Sequence, residues 1–224
     1  MNFPRIAALC AALVSPAFAL ADSPFNGKNL DNWKRKAPDK GKWVVGKAAV
    51  DEKSPNKLAD VGGGAEMINL QPGSDLISEA KYGDCTIEVE FMVPKGSNSG
   101  IYLMGEYEVQ VLDSFGKPDD KLTQGDLGAL YSAAAPKVNA SKKPGEWQKF
   151  VIDFQAPKFE GTKKIANAKF IKVTLNDVVL HENVPMKGAT PGGLTGKEIA
   201  EGPIMFQGDH GPVAYRNLKV TPRK

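Results

Sequence analysis

DCTIEVEFMV, residues 84–93, decides the fold. Cys85, Ile87, Val89, Phe91 and Val93 alternate with Thr86, Glu88, Glu90 and Met92. Strand side chains point to opposite faces in turn, so this period sets one apolar face against one mixed face. The next stretch, SGIYLMGEYEVQVLD at 99–113, reads as a β-hairpin turning at Met104-Gly105-Glu106 and entered through Pro94-Lys95-Gly96-Ser97-Asn98. Further strand candidates lie at 43–50, 75–78, 128–131, 147–154, 171–175, 178–181, 202–207 and 213–220, with Asn176-Asp177 as a tight-turn signal. No stretch keeps an apolar stripe at helical spacing for three turns. The pattern predicts an all-β chain, an antiparallel two-sheet β-sandwich. The polar, Gly- and Pro-rich segments 114–127 and 184–201 read as long loops, where binding residues usually sit.

Length and composition agree with one such domain. The 224 residues are 42% hydrophobic and 25% charged, and 23 Gly with 16 Pro supply many turns. Residues 1–21 have the layout of a secretory signal peptide: Arg5, an apolar run from Ile6 to Val14, then small residues at Ala17-Phe18-Ala19 or Ala19-Leu20-Ala21 for cleavage. Residues 22–224 are then a single mature domain, expected to be secreted or periplasmic. Leu9 before Cys10 argues against a lipoprotein anchor, and no later apolar run is long enough for a membrane span. Cys85, left alone in the mature chain, reads as a buried small hydrophobe. A net charge of +3 is too small to argue for nucleic acid.

The chemistry concentrates on the second arm of the hairpin. Glu108 and Gln110 share one face, while Tyr107, Val109 and Val111 share the other. The valines belong in the core, so Glu108 and Gln110 project outward. Asp113 has inward parity, which an ionised carboxylate does not tolerate unpaired. Either the strand ends before it or a bulge returns it to the polar face. His210, in the Gly-bracketed turn Gln207-Gly208-Asp209-His210-Gly211-Pro212, is a candidate proton-transfer group beside Asp209. His181, at a strand end, is expected at the surface. Arg216 shares parity with Leu218 and Val220 and should lie inward or at the sheet rim, as a salt-bridge partner or a substrate contact. Tyr102, Tyr131 and Trp147 are candidates for stacking on a sugar, with core packing the competing role. Two distant histidines and one cysteine give no zinc spacing. Asp119, Asp120 and Asp126 share a loop that could hold Ca²⁺ or simply be solvated, and no cofactor is assigned.

Taken together, several ordered segments resemble the 3-keto-disaccharide hydrolase family. They are Phe25-Asn26-Gly27-Lys28-Asn29-Leu30 with Trp33, Leu76-Ile77-Ser78-Glu79 with Tyr82-Gly83-Asp84, Asn98-Ser99-Gly100-Ile101-Tyr102-Leu103 with Tyr107 to Asp113, Gly128-Ala129-Leu130-Tyr131, Pro144-Gly145-Glu146-Trp147, Gly202-Pro203-Ile204 with Gln207, His210-Gly211, and Tyr215-Arg216-Asn217. Residues 159–168 depart from the pattern as an apparent insertion. The resemblance implies a concanavalin A/laminin-G-like jelly roll acting on a mono- or disaccharide or glycoside whose sugar carries a C3 ketone. It brings Glu108, His210 and Asp113 forward as catalytic, with Gln110, Arg216, Tyr131, Tyr102 and Asn98 as substrate-binding residues. Glucanases of related architecture carry a Glu-x-Asp-x-x-Glu strand, but here Gln110 and Asp113 replace its second and third acids, which does not suit a double-displacement carboxylate pair. A ketone at C3 acidifies the C2 proton, so cleavage runs either by hydrolysis or by elimination through an enolate and later hydration. Glu108 or His210 is the base. The competing functions are a non-catalytic carbohydrate-binding module and a glucanase-like hydrolase.

Overall fold

The computed structural model describes residues 20–223, so the signal-peptide assignment, Cys10 included, lies outside the described residues but for its last two positions. The described residues form sixteen strands: β1 Trp33–Arg35, β2 Lys42–Gly46, β3 Ala48–Asp51, β4 Ser54–Asp60, β5 Glu66–Gln71, β6 Leu76–Tyr82, β7 Cys85–Met92, β8 Asn98–Leu103, β9 Tyr107–Leu112, β10 Gln148–Gln155, β11 Lys158–Glu160, β12 Lys163–Ala166, β13 Lys169–Leu175, β14 Val178–Pro185, β15 Gly202–Phe206 and β16 Val213–Pro222. They build an all-β antiparallel sandwich. A five-stranded sheet runs β1-β6-β15-β8-β9, and a seven-stranded sheet runs β14-β13-β10-β7-β16-β5-β2.

The alternation of β7 does what it predicts. Ile87, Val89 and Phe91 enter a core shared with Phe150, Ile152 and Phe154 of β10. From the facing sheet come Ile101, Leu103, Tyr107, Val109 and Val111. Burying such side chains is worth roughly 1.5–3 kcal/mol each. A column of rings crosses the core: Trp33 on Phe206, Phe206 on Tyr215 with centroids 3.9 Å apart, and Tyr215 on Trp43. The Tyr215 hydroxyl bonds Ser99 Oγ at 2.9 Å, which ties the column to β8. Phe206 is the last residue of β15, so this packing fixes where the following turn, Gln207 to Pro212, begins.

Several local expectations change. The candidate 43–50 is two strands, β2 and β3, and the latter pairs with the polar, Pro-containing β4. That hairpin covers Ile68, Met92 and Ala214, which would otherwise be outward apolar side chains. The insertion at 159–168 forms most of the separate hairpin β11–β12. Residues 128–131 make no full strand, but their backbone docks on β9. His181 is buried, not exposed: a register shift in the β13–β14 pairing turns both Leu180 and His181 inward, and Nε2 meets the Gly128 carbonyl at 2.8 Å. Burial holds its pKa below the ordinary imidazole value.

Candidate active site

Strands β8 and β9 pair in register from Asn98 opposite Leu112 to Leu103 opposite Tyr107. Regular alternation therefore puts Asn98, Gly100 and Tyr102 on one outer face with Glu108 and Gln110. Along the free side of β9, three backbone bonds attach the next segment: Gln110 N–H to Ala129 O, Gly128 N–H to Gln110 O and Tyr131 N–H to Glu108 O. This attachment brings Tyr131 to the same face. The turn after β15 adds Gln207 and His210, and Pro191 with Gly192 supplies the remaining wall. The result is a cavity of about 230 Å³ lined by six of the predicted residues: Asn98, Tyr102, Glu108, Gln110, Tyr131 and His210. It is small for a drug-sized ligand, and its size suits a single sugar ring.

Glu108 is the electrostatic centre of the cavity. Only 2% of its surface is exposed. The Tyr102 hydroxyl donates to Oε2 at 2.7 Å. Gly100 makes this position possible, because a Cβ there would lie 2.1 Å from Glu108 Oε1. Burial raises the carboxyl pKa to about 7, against the lowering effects of the Tyr102 bond and of His210. Such a group carries its proton for much of the time near neutrality and can act as an acid or a base. Burial also drives the Tyr102 hydroxyl far above its usual range, so it remains a donor.

His210 stands at the rim with its side chain half exposed. Its Nδ1 donates to the Asp209 carboxylate, which leaves Nε2 as the free ring nitrogen. The amides divide into two groups. Gln110 Oε1 accepts from Val111 N–H at 3.1 Å, so its NH₂ is the free end. Asn98 Oδ1 and Gln207 Oε1 are buried without a partner, and both residues line the cavity. Unsatisfied buried polar atoms are uncommon, and with these two oxygens sealed from solvent it is the NH₂ of each side chain that is open to a ligand, as a donor.

Two predicted site residues lie elsewhere. Asp113 follows the end of β9 and needs no bulge: its carboxylate accepts from Gly96 N–H at 2.8 Å and from Phe115 N–H, closing two turns. Arg216 sits on the outer face of the opposite sheet, bonded to Glu90 at 2.7 Å and stacked 4.0 Å over Trp147. The cause is a bulge. Asn217 has φ +52° and the β16–β7 register shifts between Arg216 and Lys219, so inward parity passes from Val213 and Tyr215 to Leu218 and Val220. Arg216 and Trp147 therefore face away from the cavity. Among the loop acids, Asp126 is paired with Lys117 at 2.7 Å. Among the described residues no three His, Cys, Asp or Glu side chains form a metal-type cluster, and no helix is long and apolar enough to cross a membrane.

Pro191 and Gly192 line the site, and the loop 190–196 that carries them is foreshadowed in the sequence only by its composition. Buried Glu106 accepts from Thr195 N–H, Thr195 Oγ1 and Gly196 N–H at 2.6–2.9 Å. Thr190 Oγ1 accepts from Glu108 N–H at 3.1 Å and donates to Glu106 O at 3.0 Å. The loop is thus bonded to the hairpin that carries Glu108. Gln207 also lines the cavity and is not among the site residues the sequence predicts, although it lies three positions before His210.

Among known proteins, a crystal structure from Parabacteroides distasonis ATCC 8503, named as a candidate glycosyl hydrolase, superposes with TM-score 0.68 at 28% identity over 91% of this chain and 84% of that one. A second from the same organism, also named as a candidate glycosyl hydrolase, shares the fold at TM-score 0.62 and 16% identity, covering 91% of this chain and 94% of that one. A protein of Bacteroides thetaiotaomicron named 3-keto-disaccharide hydrolase is 29% identical over 154 residues, 57% of this chain. The chain spans about half the length of that relative, 50%. The family described as the 3-keto-alpha-glucoside-1,2-lyase-like domain matches residues 21–221, and the chain belongs to it.

Proposed function

We infer that the protein cleaves the glycosidic bond of 3-keto-glucosides, including 3-keto-disaccharides, by elimination across C1–C2 followed by hydration. The observation that supports this most is the pairing of a buried Glu108, pKa about 7, with an Asp209-held His210 in one sugar-sized cavity. The family name and that of the Bacteroides relative point to the same substrate class.

The chemistry follows from the roles available. The ketone acidifies the C2 proton, and His210 Nε2 takes it. The electron pair moves toward the C3 oxygen, where the Gln110 NH₂ and the Asn98 or Gln207 amide donate hydrogen bonds. The pair then returns, C3=O reforms, C1=C2 forms and the C1–O bond breaks. Glu108 gives its proton to the departing oxygen. Water adds its oxygen at C1 and a proton returns to C2, so substrate plus water becomes a 3-keto sugar and a free alcohol. Asp209 keeps His210 in the useful tautomer. Secretion to the periplasm or beyond would put this activity where extracellular glycosides are met.

The test is parallel incubation of the protein with a 3-keto-glucoside and its unoxidised counterpart. Turnover confined to the keto form is the expected result. Equal turnover would mean a glucanase-like hydrolase, and binding of both without product would mean a carbohydrate-binding module.

A further inference from the structure

A second cavity, of about 320 Å³, lies against the first. The two share Tyr131 and Pro191 as walls. Its remaining lining comes from Gln124, Ser132 and Ala133 to one side and from the strap 185–190 on the other. The strap is anchored at both ends: Met186 N–H donates to Ala168 O and Thr190 N–H to Glu106 O, both at 2.8 Å. The opposite wall is fixed as firmly. Tyr131 N–H is held by Glu108 O, and Ser132 N–H by Gln124 O at 3.2 Å. Ser132 takes φ +57°, a left-handed conformation that a non-glycine residue enters at a cost and that turns the chain sharply after Tyr131. The lining carries no carboxylate, and its one charge, Lys187, is exposed. It offers an aromatic ring, two prolines, small side chains and backbone polar groups. Such a surface suits a neutral ring with one apolar face and several hydroxyls, and it has no partner for a cationic group.

We propose that this second cavity is the leaving-group subsite: it takes an uncharged pyranose, with the scissile bond passing between Tyr131 and Pro191. The proposal rests on the reading of the first cavity given above, and it assigns Ala189 and Ala133 as positions that set leaving-group size. Filling the cavity with Ala189→Phe should lower kcat/KM for a 3-keto-disaccharide of two glucose units relative to methyl 3-keto-glucoside by about tenfold, the scale on which a lost pocket contact discriminates. Ala133→Phe, entering from the opposite wall, should do the same and covers the case in which the first variant fails to fold. An unchanged ratio in folded variants would overturn the subsite. If the wild-type protein cleaves neither substrate, its affinity for the disaccharide by calorimetry still decides the matter. Weaker binding by the filled variants would keep the subsite and discard only the chemistry, whereas equal binding would discard the subsite.

Discussion

Glu108 shows what a buried carboxyl costs the fold. Native Glu108 keeps its proton to about pH 7, while in the unfolded chain the carboxyl loses it near 4.5. The folded state therefore binds more protons than the unfolded one between these values, and stability falls as pH rises through that window. Above it the charged, desolvated carboxylate costs about 3 kcal/mol. Glu108→Gln should accordingly raise Tm relative to wild type by an amount that grows from pH 5 to pH 8, while it loses activity. Thermal melts across that range check it, and a constant difference would remove the buried charge as the cause. Alternation alone placed Glu108 and Gln110 on one face, and that much was legible because β8 and β9 pair without a shift. Arg216 makes the salt bridge that was one of its two expected roles, but on the outer face and not inward, because one left-handed residue, Asn217, inverts the parity of β16, and Asn before Leu gives no strong signal of a bulge. His181 is buried against expectation for the same kind of reason, since a shifted register is a property of two strands and not of one.

At the level of elements, the site depends on a clasp between a hairpin and a loop. The turn of the β8–β9 hairpin presents Glu106, whose carboxylate holds Thr195 and Gly196, and Tyr102 reaches the Pro191 carbonyl at 3.3 Å. Hydrogen bonds to a buried charge are worth about 1.5–3 kcal/mol each, more than those between neutral groups. Glu106→Gln replaces one acceptor oxygen with a donor that faces N–H groups. Under the proposed function the wall it holds meets substrate away from the reacting atoms, so KM should rise several-fold with a smaller change in kcat. Amide exchange in 190–196 should quicken in the same variant. A fall in kcat at constant KM would mean that Glu106 acts on the chemistry instead. The loop's role was visible in sequence only as length and polarity, because a carboxylate pairing with backbone N–H groups ninety residues on leaves no local pattern.

For the whole molecule, the two sheets divide the labour. The seven-stranded sheet carries on its outer face a lattice of ion pairs, among them Glu88 with Lys149 and Lys219 and Glu90 with Arg216, which are screened by solvent and contribute little individually. The five-stranded sheet carries the cavity, and the ring column from Trp33 to Trp43 locks the two together behind it. The sandwich was legible from β7, β9 and β10 because their period is two and their apolar faces have one place to go. The hairpin β3–β4 was not, since Pro55 and the polar run of β4 resemble a loop until the apolar patch beneath it is known. In the mechanism proposed above, that architecture supplies a base, a proton donor and neutral amides to one sugar ring, and the central claim is that the C2–H bond breaks during cleavage. The most direct measurement is the rate on a 3-keto-glucoside deuterated at C2 against the protiated substrate. A several-fold slower reaction with deuterium is the predicted result, and equal rates with rate-limiting bond cleavage would contradict elimination and return the site to direct hydrolysis.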